Sequence, residues 1–321
     1  MSAKEVDQLL KEQALFDGWE LECVGRIQAT HSEMFEYHGR SKAGDEQLAV
    51  KRITASSNPA ETVSREFKAI QIVWALAGQR LDGLPKPLMV LPEAGLMVTE
   101  KLSGILLSQV LSRQTNCVMA MFRTANVCDI TRRVGGWLSQ FHEATGQPAL
   151  AHDAKAFDRE VTSQLEGCVR RGLGTAAAQE IFRAASRTSE LADGKPLPAA
   201  ARHGDFTARN ILIDGERIGV VDFENFVERD TIYEDLGKFA AYLALLQGRP
   251  GYSRAAMNAA ARCFLSGYGS SVDGKLVGLF ALKAAVRMFA YRGKGRMANF
   301  FGFDYLYTKQ LIRLGEGLTK L

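Results

Sequence analysis

The chain has 321 residues, of which 46% are apolar and 24% charged, an ordinary globular composition that excludes wholesale disorder. A chain this long holds one large domain or two ordinary ones and buries about 75% of its unfolded surface, so its core needs no staples. The 40 Lys+Arg against 36 Asp+Glu leave a net charge of only +4, too weak a bias for a nucleic-acid partner. Cysteines stand at 23, 117, 128, 168 and 263, an odd number with no Cys-x-x-Cys pair, which leads us to expect reduced thiols and a cytoplasmic protein.

Residues 1–16 intersperse Lys4, Glu5, Asp7, Lys11 and Glu12 among leucines, the pattern of a surface helix rather than a secretory leader. The next segments are short and strand-like: 19–27, 34–37, 48–53, then 88–91 and 96–99 around the turn Pro92-Glu93-Ala94-Gly95. One helix interrupts them. Asn58 is its N-cap, Pro59 takes the first helical position, and Val63, Phe67, Ile70, Trp74 and Ala77 recur as one apolar face before Gly78.

Past residue 100 the periodicity turns helical. Val127, Ile130, Val134, Trp137, Leu138 and Phe141 share one face of a long helix over 126–145, and two further helices are expected at 154–171 and 175–192. A loop is expected over 193–198, then two apolar runs, 210–213 and 218–221, around Asp214-Gly215; helices resume from Ile232. The longest apolar stretch, 239–246, is far below the ~18 residues of a membrane span, so any membrane contact is expected to be peripheral. The expected architecture is α+β and two-lobed: a β-rich N-lobe over 1–99, a hinge at 100–104 and a helical C-lobe over 105–321, with ligand in the cleft.

Residues 203–222 carry the chemistry. His203-Gly204-Asp205 is followed by Asn210, a hairpin, and Asp222-Phe223-Glu224. Phosphoryl transfer from a nucleoside triphosphate needs oxygen ligands for Mg²⁺ and a separate carboxylate to accept the hydroxyl proton. Asp205, Asn210 and Asp222 supply those three groups, and the hairpin over 211–221 would return Asp222 beside Asn210. The histidines at 31, 38, 142 and 152 form no metal-ligand spacing, so no zinc site is expected.

His203-Gly204-Asp205…Asn210 with Asp222-Phe223-Glu224 resembles the catalytic segment of the aminoglycoside phosphotransferase and choline kinase group in the protein-kinase-like superfamily. The resemblance implies a protein-kinase-like fold, ATP and Mg²⁺ as cofactors, Asp205 as catalytic base, and Asn210 and Asp222 as metal ligands. It also implies that Asp235, in Tyr233-Glu234-Asp235-Leu236-Gly237, braces the catalytic loop and that His203 packs and orients it. Leu48-Ala49-Val50-Lys51 looks like the strand whose lysine holds the α- and β-phosphates, with Glu66 its ion-pair partner. Residues 99–104 resemble the hinge, where backbone groups of Glu100 and Leu102 would hydrogen-bond adenine. One departure is the absence of a G-x-G-x-x-G between the first two strands; the hydroxyls of Thr30 and Ser32 are the candidates there for capping phosphates.

The activity so implied is transfer of a γ-phosphoryl group to a hydroxyl of a small molecule, a sugar, glycolipid head group or amino alcohol. Alternatives are an aminoglycoside-modifying enzyme, a protein Ser/Thr kinase or an inactive nucleotide-binding module. Glu224 in place of the glycine of D-F-G argues against the protein kinase, and retention of all three catalytic groups argues against the inactive module. The last sixty residues interleave aromatics with cations, Arg292 and Arg296 among them. They lead us to expect a neutral or anionic acceptor, lipid-linked ones included, over a polycation.

Overall fold

A computed structural model describes residues 2–29, 31–42, 44–114, 120–249, 251–269 and 271–291. The chain divides into two compact units, 1–104 with 219–225, and 105–218 with 226–321. A short piece from far along the sequence, containing Asp222, therefore belongs to the first unit.

The first unit opens on α1 (Ala3–Lys11), where the Ser2 hydroxyl accepts from the Glu5 amide and the Glu5 carboxylate returns to the Ser2 amide. Then come β1 (Glu20–Gln28), β2 (Ser32–Ser41), β3 (Gly44–Ile53), α2 (Pro59–Ala77), β4 (Pro87–Leu91) and β5 (Leu96–Glu100). The strands form one antiparallel sheet in the order β1-β2-β3-β5-β4. The alternation of β3 buries Leu48 and Val50 on one face and places Lys51 on the other, which it shares with Ala49 and Ile53. Val6 and Leu10 of α1 close the core over Phe35, Tyr37, Val50 and Val98, and the Tyr37 hydroxyl donates to Asp7 Oδ1 at 2.6 Å. On α2 the apolar face is the expected one with one shift: Val73 is fully buried where the spacing had pointed to Trp74.

The second unit holds β6 (Ile105–Leu106), α3 (Leu107–Gln114), α4 (Ala120–Ala144), β7 (Gln147–Ala151), α5 (Ala154–Val169) and α6 (Thr175–Glu190). It continues through β8 (Pro196–Arg202), β9 (Ile211–Asp214), β10 (Arg217–Val220), β11 (Val227–Thr231), α7 (Tyr233–Leu246), α8 (Arg254–Tyr268) and α9 (Gly274–Ala290). Residues 219–220 of β10 cluster with the first unit. The helical stripe expected on α4 is buried throughout, from Val127 to Phe141. Strand β8, however, begins at Pro196, inside the expected loop, and pairs with β7 and β11 in a small antiparallel sheet. Pro-Leu-Pro-Ala-Ala-Ala carries none of the β-branched residues that announce a strand, and cross-strand partners decide its conformation instead.

One further feature departs from expectation. Cys128 of α4 and Cys263 of α8 are joined as a disulfide with a Cα separation of 5.2 Å, although a gap of 135 residues hides the pair from any spacing rule. Cys23 and Cys168 remain thiols. Among the described residues no helix is long and apolar enough to cross a membrane.

Candidate active site

In the first unit β3 delivers Lys51, α2 delivers Glu66, and the 219–225 segment delivers Asp222. The Lys51 ammonium donates to Glu66 Oε1 at 2.7 Å and to Asp222 Oδ1 at 3.1 Å. Glu66 is almost completely buried, and its other oxygen takes no hydrogen bond among the described residues. Burial pushes the Glu66 carboxyl up to about 7 against the pull of Lys51. For Lys51 the balance runs the other way: burial disfavours its charge, but Glu66 and Asp222 together hold its pKa well above the usual lysine value.

Asp222 is more open, with 37% of its side chain exposed. It is also the one non-glycine residue at positive φ (70°) among the described residues. A left-handed backbone costs an ordinary L-residue about 1–2 kcal/mol, and strain of this kind persists where the surroundings demand one side-chain direction. The strand before it is tied down, since the Val220 amide donates to the Gly83 carbonyl at 2.9 Å.

In the second unit the loop between β8 and β9 presents Asp205. Both its carboxylate oxygens are engaged: Asn210 Nδ2 donates to Oδ2 at 3.0 Å, and Lys238 Nζ of α7 lies 3.1 Å from Oδ1. Asn210 Nδ2 also donates to the Asp205 carbonyl at 3.0 Å, which closes the loop on itself. The loop is clamped from below by Asp235, whose Oδ2 accepts from the His203 amide at 2.7 Å and whose Oδ1 accepts from the Gly204 amide at 2.9 Å. The Asp205 amide in turn donates to His203 Nδ1 at 3.2 Å.

Asp235 is buried, and burial alone would raise its pKa; the neighbouring His142, His203 and the Gly204 amide hold it below the usual 3.8. His142 Nε2 lies 3.5 Å from Asp235 Oδ2, and its Nδ1 meets the Tyr268 hydroxyl at 2.9 Å. The Asp205 loop thus rests on a buried chain, Asp235–His142–Tyr268, drawn from α7, α4 and α8.

Of the residues singled out by sequence, Lys51, Glu66 and Asp222 are brought together in one unit, and His203, Asp205, Asn210 and Asp235 in the other. The Glu100 amide is already bonded to the Lys86 carbonyl at 2.9 Å, whereas the Leu102 amide has no backbone acceptor among the described residues. Ser32 opens β2 opposite Ile53. Thr30, Arg292 and Arg296 lie outside the described residues. Sequence reasoning missed Lys238, His142 and Tyr268. Lys238 could have been found from its place three residues after Asp235, one turn on along the same helix face.

Oxygen donors make Asp222 and Asn210 suited to a hard cation. Asn210 commits its amide N–H₂ to Asp205, leaving Oδ1 as a donor, and Asp222 keeps an exposed carboxylate. No cluster of three or more His, Cys, Asp or Glu positioned for a metal occurs among the described residues.

A five-stranded antiparallel sheet bearing a Lys–Glu–Asp triad and a mainly helical unit bearing an Asp–Asn loop are the parts of a protein-kinase-like fold. The chain belongs to the phosphotransferase enzyme family, whose sequence profile matches residues 39–264. Its fold is similar to that of a glucosamine kinase in complex with glucosamine, ADP and inorganic phosphate, at 19% identity and TM-score 0.63 over 95% of this chain and 83% of that one. It is also similar to APH(2″)-IIa in its streptomycin–ATP complex, at 15% identity and TM-score 0.56 over 100% and 97% of the two chains. A choline/ethanolamine kinase family protein from Mesorhizobium loti matches at 16% identity and TM-score 0.54, over 100% and 96%. No curated protein sequence matches the chain.

Proposed function

We propose that this protein is an ATP-dependent, Mg²⁺-requiring O-phosphotransferase that moves the γ-phosphoryl group to a hydroxyl of a small molecule such as a sugar. The observation that carries this reading is Asp205: a part-exposed carboxylate, fixed through both oxygens, on a loop clamped by a buried aspartate. In the reaction Asp205 accepts the hydroxyl proton, the freed oxygen forms a bond to the γ-phosphorus, and the bond from that phosphorus to the β–γ bridging oxygen breaks to release ADP. Lys51, steadied by Glu66, pairs with the α- and β-phosphates. Asp222 and Asn210 are the residues that would hold Mg²⁺, and the cation would supply charge neutralisation for the phosphates. The named acceptors and nucleotides of the structural neighbours agree with this chemistry without specifying the acceptor.

Two substitutions separate the assigned roles. Asp205→Asn should keep Mg-ATP binding while lowering turnover by about 10²–10⁴-fold, the range for a positioned general base. Asp222→Ala should instead abolish metal-dependent nucleotide binding, because a hard-cation ligand is removed. Nucleotide titrations and turnover with a library of hydroxyl acceptors measure both. Equal loss of ATP affinity in the two variants would refute the assignment.

A further inference from the structure

The wall beside the Asp205 loop has a charge that neither the motif nor the family membership dictates. A small depression between α7 and α9 is lined by Arg202, Gly204, Glu234, Lys238, Lys283 and Arg287, with Ala284 between the last two. Four of these side chains are cations and one is a carboxylate. Lys283 is buried and saturated: it donates to Glu160 at 2.7 Å and Glu234 at 2.6 Å, with its ammonium over the rings of Phe157 and Phe280. Arg202 is paired with Asp230. Arg287, one helical turn beyond Lys283, makes no ion pair among the described residues. The carboxylate partner of Lys238 is Asp205 itself.

This geometry constrains what can approach the base. A hydroxyl poised to give its proton to Asp205 Oδ1 stands about 3 Å from that oxygen. Lys238 Nζ stands 3.1 Å from the same oxygen. A substituent two or three bonds from the reacting hydroxyl therefore falls beside the Lys238 ammonium, and the Arg287 guanidinium lines the space beyond it. Once Asp205 has taken the proton it is neutral, and Lys238 loses its counter-charge at that moment. A negative group on the acceptor would restore it; an ammonium group would meet two cations. The solved neighbours described above carry names of amine-bearing compounds, glucosamine, streptomycin and choline or ethanolamine. Beside Asp205 this chain places Lys238, and Arg287 borders the same depression.

We infer that the acceptor carries an anionic group, a carboxylate or phosphate near the reacting hydroxyl, and that Lys238 and Arg287, which border the depression between α7 and α9, are the residues that select it. The inference rests on Asp205 being the base.

The test is calorimetric titration of the full chain, saturated with Mg-ADP, against five probes: glucose 6-phosphate and gluconate as anions, glucose as the neutral reference, glucosamine and choline as cations. The anions should bind at least tenfold tighter than glucose, the cations weaker than glucose, and the preference should shrink between 50 and 300 mM salt, with the Debye length falling from about 14 to about 6 Å. Arg287→Gln should weaken the anions about tenfold, the effect of losing one charge-assisted contact, and leave glucose unchanged. Arg287→Lys keeps the charge and should keep most of the binding, so loss confined to the glutamine variant reports charge rather than misfolding. Anions binding no tighter than glucose, cations binding as tightly as anions, or indifference to Arg287→Gln would each overturn the inference. Its failure is distinct from that of the functional reading: if Asp205→Asn abolishes turnover while anions show no preference, only the acceptor class is wrong. Full turnover by Asp205→Asn would sink the reading itself.

Discussion

Asp235 carries more of the site than its modest place in the motif suggests. It receives two loop amides and faces His142, so replacing it with asparagine leaves the Gly204 amide opposite a group that is half donor. Breaking a buried, hydrogen-bonded charge in this way costs about 3–5 kcal/mol. We expect Asp235→Asn to lower turnover at least tenfold with a smaller rise in KM for ATP, because the loop bearing Asp205 and Asn210 shifts while Lys51 and Asp222 do not. The pH dependence is a second signature. Since the folded-state pKa lies below the usual 3.8, the stabilisation is complete above about pH 5 and is lost as pH falls through the folded value. Denaturant titrations should show a gap between wild type and Asp235→Asn that is constant at neutral pH and closes in acid. A gap that stays open to pH 2 would mean that the carboxylate charge is not what the loop needs.

At the scale of elements, the packing of α4 on α8 sets the floor of the catalytic loop, since these helices supply His142 and Tyr268. Their approach is closer than side chains permit. A Cβ on Gly135 would lie 2.0 Å from the Phe264 carbonyl oxygen, and one on Gly267 would lie 1.9 Å from that of Arg132. The adjacent Gly136 differs, with its nearest neighbour 3.7 Å away. Two neighbouring substitutions should therefore diverge in sign. Gly135→Ala must push α8 away against backbone atoms and should cost about 3 kcal/mol, at the upper end for overpacking. Gly136→Ala meets ordinary contact and should gain about 0.5–1 kcal/mol from helix propensity. Urea midpoints decide this; similar shifts for both variants would show that the helices are not in such close contact. Gly135→Ala should also reduce turnover, because Tyr268 moves with α8.

For the whole molecule, the division into units does not follow the chain. Residues 219–225 belong with 1–104, and they contribute Asp222 to Lys51 and Val220 to Gly83. A fragment ending at residue 104 should therefore be markedly less stable than a contiguous lobe and should bind no Mg-nucleotide. Circular dichroism and ADP titration test this, and wild-type affinity in the fragment would contradict it. In the full chain, ligand at 100 times its Kd should raise stability by about 2.7 kcal/mol, an effect that Asp222→Ala removes. Much of this protein is determined by sequence alone, because the determinants are local. The helical stripes of α2 and α4 follow from a period of 3.6, and the hairpin between Asn210 and Asp222 follows from two apolar runs around Asp214-Gly215. The chemistry of residues 203–222 is legible because Asp205, Asn210 and Asp222 lie within twenty residues. Tertiary structure alone decided the rest. In the β7-β8-β11 sheet, β7 and β8 are proline- and alanine-rich segments whose strand character comes from their partners. Lys238 reaches Asp205, His142 reaches Asp235, and Cys128 reaches Cys263 across 33, 93 and 135 residues of chain. Propensity and spacing act over a few residues, whereas burial and pairing act between whatever residues the fold makes neighbours.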